Sequence, residues 1–437
     1  MTSASVGRQF TICVPDNCGR LIGKRQPADR LAEAKESGMA MPNFHLVTGL
    51  ENQPHLSLEV TGVHTGFRNG TLRPDLESRF RVPGDGNVDY YLADAYDAGH
   101  AEVPQAPRSM LKRQLGRLAE AGLTASMASE LEFYLFDQSF AELAEADYRT
   151  FRPFHHRNAD NDLFVTGIAG PFLEQMVEDL SAAGISVDQI QGEGGVGQLE
   201  INVTPSHPLK ACDQHAIFKH VARTRAFLAG RSITFMAKPF DHSAGSGGHI
   251  HLCLRDAEGR TLLTEGETPS GRAASFIAGI LAYTGDFMVM HAPYANSYRR
   301  LRRGNFTPVN GTWAWDNRTC LVRLTGAGKS ARFEFRLPGA DANPYFAYAG
   351  LIAAGLAGIE ADLPLPPATA GDAGSADLPS LPSDLTEAMA AFRGSSVAHD
   401  AFGPAVHRHL AGLVAEELEI TRTHVTDWDR RRGFEAA

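Results

Sequence analysis

The sequence predicts an α+β protein with a small N-terminal β-rich domain and a larger mixed domain. At 437 residues the chain is long enough for two to three domains, and 43% hydrophobic residues suffice for a substantial core. The predicted strands are joined by short turns, which favour antiparallel pairing over a doubly wound parallel sheet. We therefore expect domains at residues 8–104 and 105–437.

The N-terminal domain is predicted from its turn residues and its short strands. Residues 8–104 are rich in Gly, Pro, Asn and Asp, with strand-like stretches at 10–14 and 90–95. Pro104 and Pro107 then precede an amphipathic helix that Gly122 ends. The apolar residues of this helix stand at helical spacing: Met110, Leu111, Leu115, Leu118 and Ala119. The domain boundary is accordingly placed near residue 105.

Strands and helices alternate irregularly in the larger domain. Hydrophobic periodicity predicts strands at 123–136, 185–190, 198–203, 232–237, 248–254, 320–325 and 332–337, and helices at 171–183, 209–229 and 272–290. A further helix begins at Asn343 and Pro344, since Asn is a favoured N-cap and Pro suits the first helical position. Residues 362–384 form a loop rich in Pro, Ala, Gly and Ser, and two helices are expected to close the chain at 385–434.

Charge and hydropathy argue against two classes of protein. A formal charge of −10 disfavours a general nucleic-acid binder, which needs a basic surface, and the one basic run, residues 299–303, suits small anions or a solvated loop. No window approaches the roughly 18 apolar residues of a membrane span, and residues 1–10 lack the apolar segment of a signal peptide. We expect a cytoplasmic protein that binds neither nucleic acid nor membrane.

The five cysteines do not suggest a disulfide framework. Cys13, Cys18, Cys212, Cys253 and Cys320 are odd in number and include no CxxC pair. Cys13 and Cys18 lack the second pair that would complete a tetrahedral metal site. A reducing compartment is expected.

Four separate strand patterns carry polar or charged side chains at positions i and i+2. The pairs are Glu130 and Glu132, Glu200 and Asn202, His249 and His251, and Glu334 and Arg336. Side chains two apart in a strand point to the same face, so one sheet face would carry carboxylates, imidazoles and a guanidinium. Burying carboxylates together costs several kcal/mol per ion unless they are protonated, paired or bound to metal. This face is the candidate functional site, although a single Glu-x-Glu is most often a solvated strand edge.

The acidic and basic candidates together suit phosphoryl transfer. The carboxylates and imidazole are Glu130, Glu132, Glu193, Glu200, His249 and Glu334, and the guanidinium groups are Arg300, Arg318, Arg323, Arg332 and Arg336. Such ligands are enough for two hard cations, Mg²⁺ or Mn²⁺, and metals with arginines neutralise a transferring phosphoryl group. Residues 192–197, GEGGVG, do not form a Walker A loop, so ATP would be bound in another way. From these residues alone, a two-metal phosphohydrolase remains an alternative.

Six ordered stretches match a known family. They are SELEFYLFD at 129–137, GEGGVGQLEINV at 192–203, KPF with GSGGHIHLCL at 238–254, NSYRRL at 296–301, DNRTCLVRL at 316–324 and RFEFRLPGADANPYFAYAGLIAAGLAGI at 332–359. The chain resembles glutamine synthetase and its γ-glutamyl-amine ligase relatives over nearly its whole length. The resemblance implies an N-terminal β-grasp domain, a catalytic domain with a curved antiparallel sheet, and rings of subunits, a dodecamer, with sites shared between neighbours.

The resemblance also implies residue roles. Two sets of metal ligands are implied, Glu132, Glu193 and Glu200 for one ion and Glu130, His249 and Glu334 for the other. Arg300 and Arg336 would hold the carboxylates of glutamate, and the backbone of Gly245 its amino group. Arg318, Arg323 and Arg332 would lie along the ATP phosphates, with His251 near the nucleotide. Arg300, Arg318 and Arg336 are thus the candidate catalytic residues.

One stretch departs from the family pattern and bears on the second substrate. Ammonia-using glutamine synthetases carry a glutamate, in a flap after the NSYKRL-like stretch, that takes a proton from ammonium; here Gly304 to Pro308 contains Phe306 instead. Phe306 cannot act as a base, and its ring favours an amine with an apolar substituent. A polyamine is less favoured, since a second cationic end wants a carboxylate. Ala244, where the family usually has Asn, weakens the implied contact to the amino group of glutamate.

The sequence therefore predicts an ATP-dependent ligase that activates the γ-carboxylate of glutamate as an acyl phosphate and joins it to a small organic amine. Glutamine synthesis from ammonia is the first alternative. A catalytically silent homologue with a structural or regulatory role is the second, although all six implied metal ligands are present.

Overall fold

Two β-sheets organise the protein, whose computed structural model describes residues 8–436. The first sheet holds β1 (Gln9–Pro15), β2 (Leu21–Pro27), β3 (Met39–Pro42), β4 (Asn69–Pro74) and β5 (Asp89–Tyr96), with helix α1 (Leu31–Ser37). Its order is β2-β1-β5-β4-β3, in which only the β1–β5 pair is parallel. Ile12, Leu72 and Ala93 are fully buried in the core of this sheet.

The second sheet has eight strands and carries the candidate site. They are β6 (Leu123–Phe136), β7 (Val187–Gly192), β8 (Gln198–Val203), β9 (Ser232–Thr234), β10 (Gly248–Asp256), β11 (Trp313–Trp315), β12 (Val322–Thr325) and β13 (Arg332–Phe335). The order is β11-β12-β13-β10-β6-β8-β7, and β9 pairs with the C-terminal end of β6. All these pairs are antiparallel except β11–β12, so the predicted α+β class is confirmed.

Helices cover the sheet and supply its core. They are α2 (Pro107–Glu120), α3 (Phe140–Glu145), α4 (Leu163–Ile168), α5 (Gly170–Ala182), α6 (Pro208–Leu228), α7 (Gly271–Tyr283), α8 (Met288–His291), α9 (Ala295–Arg300), α10 (Pro344–Glu360), α11 (Leu385–Gly394), α12 (Ser396–Phe402), α13 (Pro404–Thr423) and α14 (Asp427–Gly433). Helix α10 is apolar all round and almost wholly buried, as expected for a central helix. The predicted cap is confirmed, because the Asn343 side chain accepts a hydrogen bond from the Tyr345 N–H at 3.0 Å.

A buried ion-pair cluster joins the first sheet to the helices of the second. Arg108, at the start of α2, is 1% exposed. Its guanidinium lies 2.8 Å from Asp75, just after β4, and 2.8 Å from Asp94 in β5. It also lies 2.9 Å from Asp213 on α6. Burial acts to raise the pKa of Asp213, and Arg108 opposes that rise. Arg108 therefore pairs with three carboxylates where the two sheets meet, and Lys112 also pairs with Asp94.

The structure corrects two predicted helical regions. The helix predicted at 272–290 is interrupted: α7 ends at Tyr283, a 3-10 turn covers Thr284–Phe287, and α8 follows. The bend between residues 271–283 and 285–291 is 61°. The Thr284 hydroxyl donates to the Ile280 carbonyl at 2.6 Å, a side-chain bond that competes with the helical ladder. The chain closes with four helices instead of two, because Ser395, Pro404 and Thr426 start new helices within 385–434. The division of domains near residue 105 stays a prediction.

Two further features bear on the composition-based expectations. Within residues 8–436 no single helix is long and apolar enough to cross a membrane; only the bent pair α7–α8 passes by length and composition. The five cysteines are free and buried.

Candidate active site

The register of three central strands brings acidic and imidazole side chains side by side. Glu132 on β6 is directly opposite Glu200 on β8, and Glu130 on β6 is directly opposite His249 on β10. Because cross-strand partners share a face, these four side chains occupy one patch of the sheet. They are not a solvated edge: Glu200 is 3% exposed and His249 is 4% exposed.

The same row continues across the next two strands. His251 on β10 is opposite Glu334 on β13, which is itself opposite Arg323 on β12. Glu334 is 1% exposed and accepts hydrogen bonds from Arg323 Nη1 at 2.8 Å and from Arg336 Nη1. The row therefore runs from carboxylates at β8 to guanidinium groups at β12.

Among residues 8–436, two groups of side chains are compact enough to hold a metal ion. In each group the ligand atoms lie within 4.8 Å of one another: Glu130, His249 and Glu334 form one, and Glu130, Glu132 and Glu200 form the other. The group of Glu130, His249 and Glu334 is identical to one of the two ligand sets that the family resemblance implies. The other group shares Glu132 and Glu200 with the remaining implied set. Glu193, just after β7, lines the same cavity but belongs to neither compact group, and its carboxylate accepts from Gln191 Nε2 at 2.9 Å.

Electrostatics in the cluster favour bound cations. Burial, and then the charge of Glu193, raises the pKa of Glu132 to about 7. Burial, and then the charges of Glu130 and Glu132, raises the pKa of Glu200 to about 11. These carboxylates cannot all ionise at neutral pH without compensating charge. Oxygen ligands with one imidazole are the donors that Mg²⁺ and Mn²⁺ accept, so the residues fit two divalent cations.

The imidazole of His249 is held in its neutral form by its surroundings. Its Nδ1 lies 2.6 Å from Glu130 Oε1, and its Nε2 lies 3.2 Å from Arg300 Nη2. Burial, and then the charge of Arg336, lowers the pKa of His249, which keeps the ring unprotonated. Burial acts to raise the pKa of Glu130, but hydrogen bonds from His249 and His251 hold it well below its usual value.

The arginines predicted for phosphate and glutamate contacts surround this row. Arg332 Nε donates to His251 Nδ1 at 3.1 Å, and the exposed Arg318 faces the same cavity. Arg300 is 4% exposed, and its Nη1 donates to the Leu337 carbonyl at 2.9 Å. All five predicted arginines therefore line one cavity; their roles toward ATP and glutamate stay predictions.

A glycine loop packs directly against these carboxylate and imidazole side chains. The Gly247 N–H donates to Glu132 Oε2 at 2.8 Å. A Cβ on Gly247 would lie 2.7 Å from both Glu132 Oε1 and His249 Nε2, and one on Gly245 would lie 2.6 Å from the Arg300 Cγ. Only glycine fits so close an approach. Gly245 is thus at the cavity wall, beside the arginine with which it is predicted to bind glutamate.

Gln198 is a site residue that the sequence analysis missed. It is fully buried, and its Nε2 donates to Glu132 Oε2 and to the Gly245 carbonyl, each at 3.0 Å. Its Oε1 accepts from the Gly195 N–H at 2.8 Å. The signal was present, because Gln198 precedes Glu200 by two residues and shares its sheet face.

The flap, Gly304 to Pro308, presents an aromatic ring to the cavity. Thr307 Oγ1 accepts from the Arg302 N–H at 3.1 Å and donates to the Arg302 carbonyl at 3.0 Å, which closes the loop. Phe306 has φ +53°, a left-handed conformation that costs a bulky residue roughly 1–2 kcal/mol. Its side chain is 67% exposed and lines the cavity, whose volume is about 1420 Å³.

Comparison with known proteins agrees with this geometry. The family described as "Glutamine synthetase, catalytic domain" matches residues 104–433. The chain belongs to the glutamine synthetase family. It is 38% identical over 425 residues to the γ-glutamylethanolamide synthetase GlnA4 of Streptomyces coelicolor, covering 97% of this chain and 92% of that protein. It is 30% identical to the glutamate–isopropylamine ligase of a Pseudomonas species, with coverage of 89% and 84%.

Solved structures extend the likeness to the whole fold. A GmaS/ADP complex superposes with a TM-score of 0.85 at 27% identity, covering 98% of this chain and 96% of that one. The resemblance to the glutamine synthetase family inferred from the six sequence stretches is therefore confirmed. ATP-dependent carbon–nitrogen ligases make up this family, and its active sites use ATP and divalent metals.

Proposed function

We propose that the protein is an ATP-dependent ligase that joins the γ-carboxylate of glutamate to a small organic amine. The flap carries this proposal, since it offers the ring of Phe306 at the position where the family resemblance implies a proton-accepting glutamate in ammonia-using enzymes. The two relatives named above support it, because one is named for γ-glutamylethanolamide and the other for the joining of glutamate to isopropylamine.

The reaction proceeds in two transfers. An oxygen of the glutamate γ-carboxylate attacks the γ-phosphorus of ATP, and the bond to ADP breaks. The amine nitrogen then attacks the acyl carbon, inorganic phosphate leaves, and the nitrogen gives up one proton. The first transfer is needed because a free carboxylate is a poor electrophile. The product is a γ-glutamylamide.

The residues of the sheet row are proposed to balance charge during the first transfer. Glu130, His249 and Glu334 would hold one divalent cation, and Glu132, Glu193 and Glu200 the other. When bound, these ions neutralise the oxygens of the transferring phosphoryl group. Arg318, Arg323 and Arg332 would lie along the phosphates, because guanidinium groups bind phosphate oxygens in pairs, and His251 would lie near the nucleotide.

Glutamate is proposed to bind between the glycine loop and the arginines. Arg300 and Arg336 would pair with its carboxylates, and the backbone of Gly245 would contact its amino group. Arg300 donates to the Leu337 carbonyl, which fixes the direction of its side chain. A fixed guanidinium loses less entropy when it binds a carboxylate.

Assembly and location complete the proposal. Homo-oligomeric rings are supported by large apolar side chains that the single chain leaves exposed, among them Val63, Leu163 and Phe164 at 71%, 84% and 69%. Exposed apolar surface of this kind marks contacts between proteins. A cytoplasmic location fits an enzyme that uses ATP and glutamate.

The test is a panel of acceptors assayed with the purified full-length protein. Phosphate release is measured with ATP, Mg²⁺ or Mn²⁺, glutamate, and either ammonia or one of a series of alkyl, hydroxyalkyl, diamino and aryl amines, and each product is identified by mass. The proposal predicts γ-glutamylamide formation faster than glutamine formation. Faster turnover with ammonia than with every amine would refute it in favour of glutamine synthesis. ATP hydrolysis without any acceptor would instead indicate a phosphohydrolase.

A further inference from the structure

The cavity has two chemically different ends, set by the order of the strands. Arg323 on β12 and Arg332 on β13 lie on one side of the carboxylate row, and β8 and β7 lie on the other. At the β7 end the cavity wall contains Asn158, Asp160 and Asn161 from the loop before α4. Neither residues 158–161 nor β7 include an arginine or lysine that could bind phosphate. The phosphates of ATP belong at the guanidinium end, so the acceptor amine has the other end available.

Backbone packing fixes Asp160 at this end. The Asn161 N–H donates to the Gly192 carbonyl at 3.1 Å. A Cβ on Gly192 would lie 2.4 Å from the Ala159 carbonyl oxygen, so glycine is required for the two segments to pack this closely. Glu193 follows Gly192 directly, and the charges of Asp160 and Glu193 are close enough to repel each other.

The Asp160 carboxylate is available to a ligand. Its side chain is exposed to the cavity, and it accepts one hydrogen bond, from Asn161 Nδ2 at 2.7 Å. Arg157, three residues away, pairs with Asp162 instead, and Asp160 forms no ion pair within residues 8–436. At least one of its oxygens can therefore accept a hydrogen bond from a bound molecule.

We propose that Asp160 selects an acceptor amine whose far end carries a hydrogen-bond donor, either a hydroxyl or an ammonium group. This inference rests on the proposed function and names its substrate class. The exposed Phe306 ring covers the carbon chain of the amine, and Asp160 accepts from its polar end. The aromatic ring alone favoured an apolar substituent, but an apolar end placed against Asp160 would displace water from the free carboxylate oxygen without replacing its hydrogen bond, which disfavours that substituent.

The test compares two acceptors of similar size, 2-aminoethanol and propylamine, which differ by a hydroxyl in place of a methyl group. The wild type is expected to favour 2-aminoethanol in kcat/KM by at least about tenfold, as for a hydrogen bond to a charged group. Asp160→Ala should lower kcat/KM for 2-aminoethanol by roughly ten- to a hundredfold, while propylamine changes by less than about twofold. The KM for glutamate should not change.

Two further variants are measured: one distinguishes a hydroxyl donor from an ammonium donor, and the other controls for the change in net charge. Asp160→Asn keeps an acceptor oxygen but loses the charge, so it should retain turnover of 2-aminoethanol and lose that of 1,2-diaminoethane. Glu36→Gln, on the exposed face of α1, changes the net charge equally and should alter neither acceptor. Thermal unfolding midpoints verify that each variant is folded.

The outcomes of the two proposals are distinguishable. A wild-type preference for propylamine, or the same ratio of the two acceptors in Asp160→Ala as in the wild type, would overturn the role of Asp160 while γ-glutamylamide synthesis stands. Turnover with ammonia and with none of the amines would refute the proposed function, and this inference with it.

Discussion

Metal binding should release protons, because the buried carboxylates hold them when no cation is present. Burial and mutual repulsion raise the pKa of Glu132 to about 7 and that of Glu200 to about 11, from an ordinary value of 4.5. A divalent cation requires both groups to be ionised. Each proton that the free cluster holds must leave when the cation binds.

The expected number follows from these values. At pH 7 Glu200 is almost fully protonated and Glu132 is half protonated, so these two groups together should release about 1.5 protons, and Glu193, whose pKa burial also raises, can only add to that number. At pH 8.5 Glu132 is ionised beforehand, and the release should fall to about one. The raised pKa values also make the stability of the metal-free fold depend on pH. Their contribution to the free energy of unfolding is fully present below pH 4.5, and it is lost as pH rises through 7 for Glu132 and toward 11 for Glu200.

The assay is titration calorimetry of Mn²⁺ into the metal-free protein in buffers with different ionisation enthalpies, such as Hepes and Tris. The slope of the apparent binding enthalpy against buffer enthalpy gives the protons released. Glu200→Gln should reduce the slope at pH 7 by about one proton, since the amide cannot titrate. A wild-type slope near zero at pH 7 would refute the reasoning, because the cluster would then be ionised before the metal arrives.

Three other changes test separate parts of the structure. Phe306→Glu should raise ammonia-dependent relative to amine-dependent phosphate release, since it adds a carboxylate that can take a proton from ammonium; an unchanged ratio would contradict the placement of the flap. Gln198→Leu removes a buried donor to Glu132 and should weaken Mn²⁺ binding in calorimetry by roughly tenfold or more, whereas a change below about twofold would contradict its supporting role. Arg108→Met leaves Asp213 buried without a cation and should lower the free energy of unfolding in urea by about 3–5 kcal/mol; a loss below about 1 kcal/mol would show that the cluster is solvated.

Local patterns predicted most elements of the larger domain. The strand at 123–136 and the strand at 198–203 have the predicted bounds, because alternating or continuous apolar residues between clear turn signals leave little ambiguity. The polar pairs at i and i+2 also predicted a shared sheet face, and the face exists. These inferences succeed because each depends on residues that are neighbours in sequence.

What could not be predicted depends on pairing between distant segments. No local signal states that Glu132 is opposite Glu200, or that His251 is opposite Glu334; those registers follow from how the strands pack. Asp160 was missed for the same reason, since its place beside Glu193 depends on the contact between Ala159 and Gly192. The break after α7 was missed because a single threonine hydroxyl competing with the helix is weak as a sequence signal.

The residues proposed for metal binding and those proposed for amine selection lie on different kinds of structure. The compact ligand groups come from β6, β8, β10 and β13, whose cross-strand registers fix each carboxylate against its neighbour. The residues proposed to contact the amine, Phe306 and Asp160, come from loops, where a substitution disturbs no ladder hydrogen bond. Exchanging only these loop residues should then alter the preferred amine without altering Mn²⁺ affinity, and a joint change in both would show that the loops and the sheet are coupled.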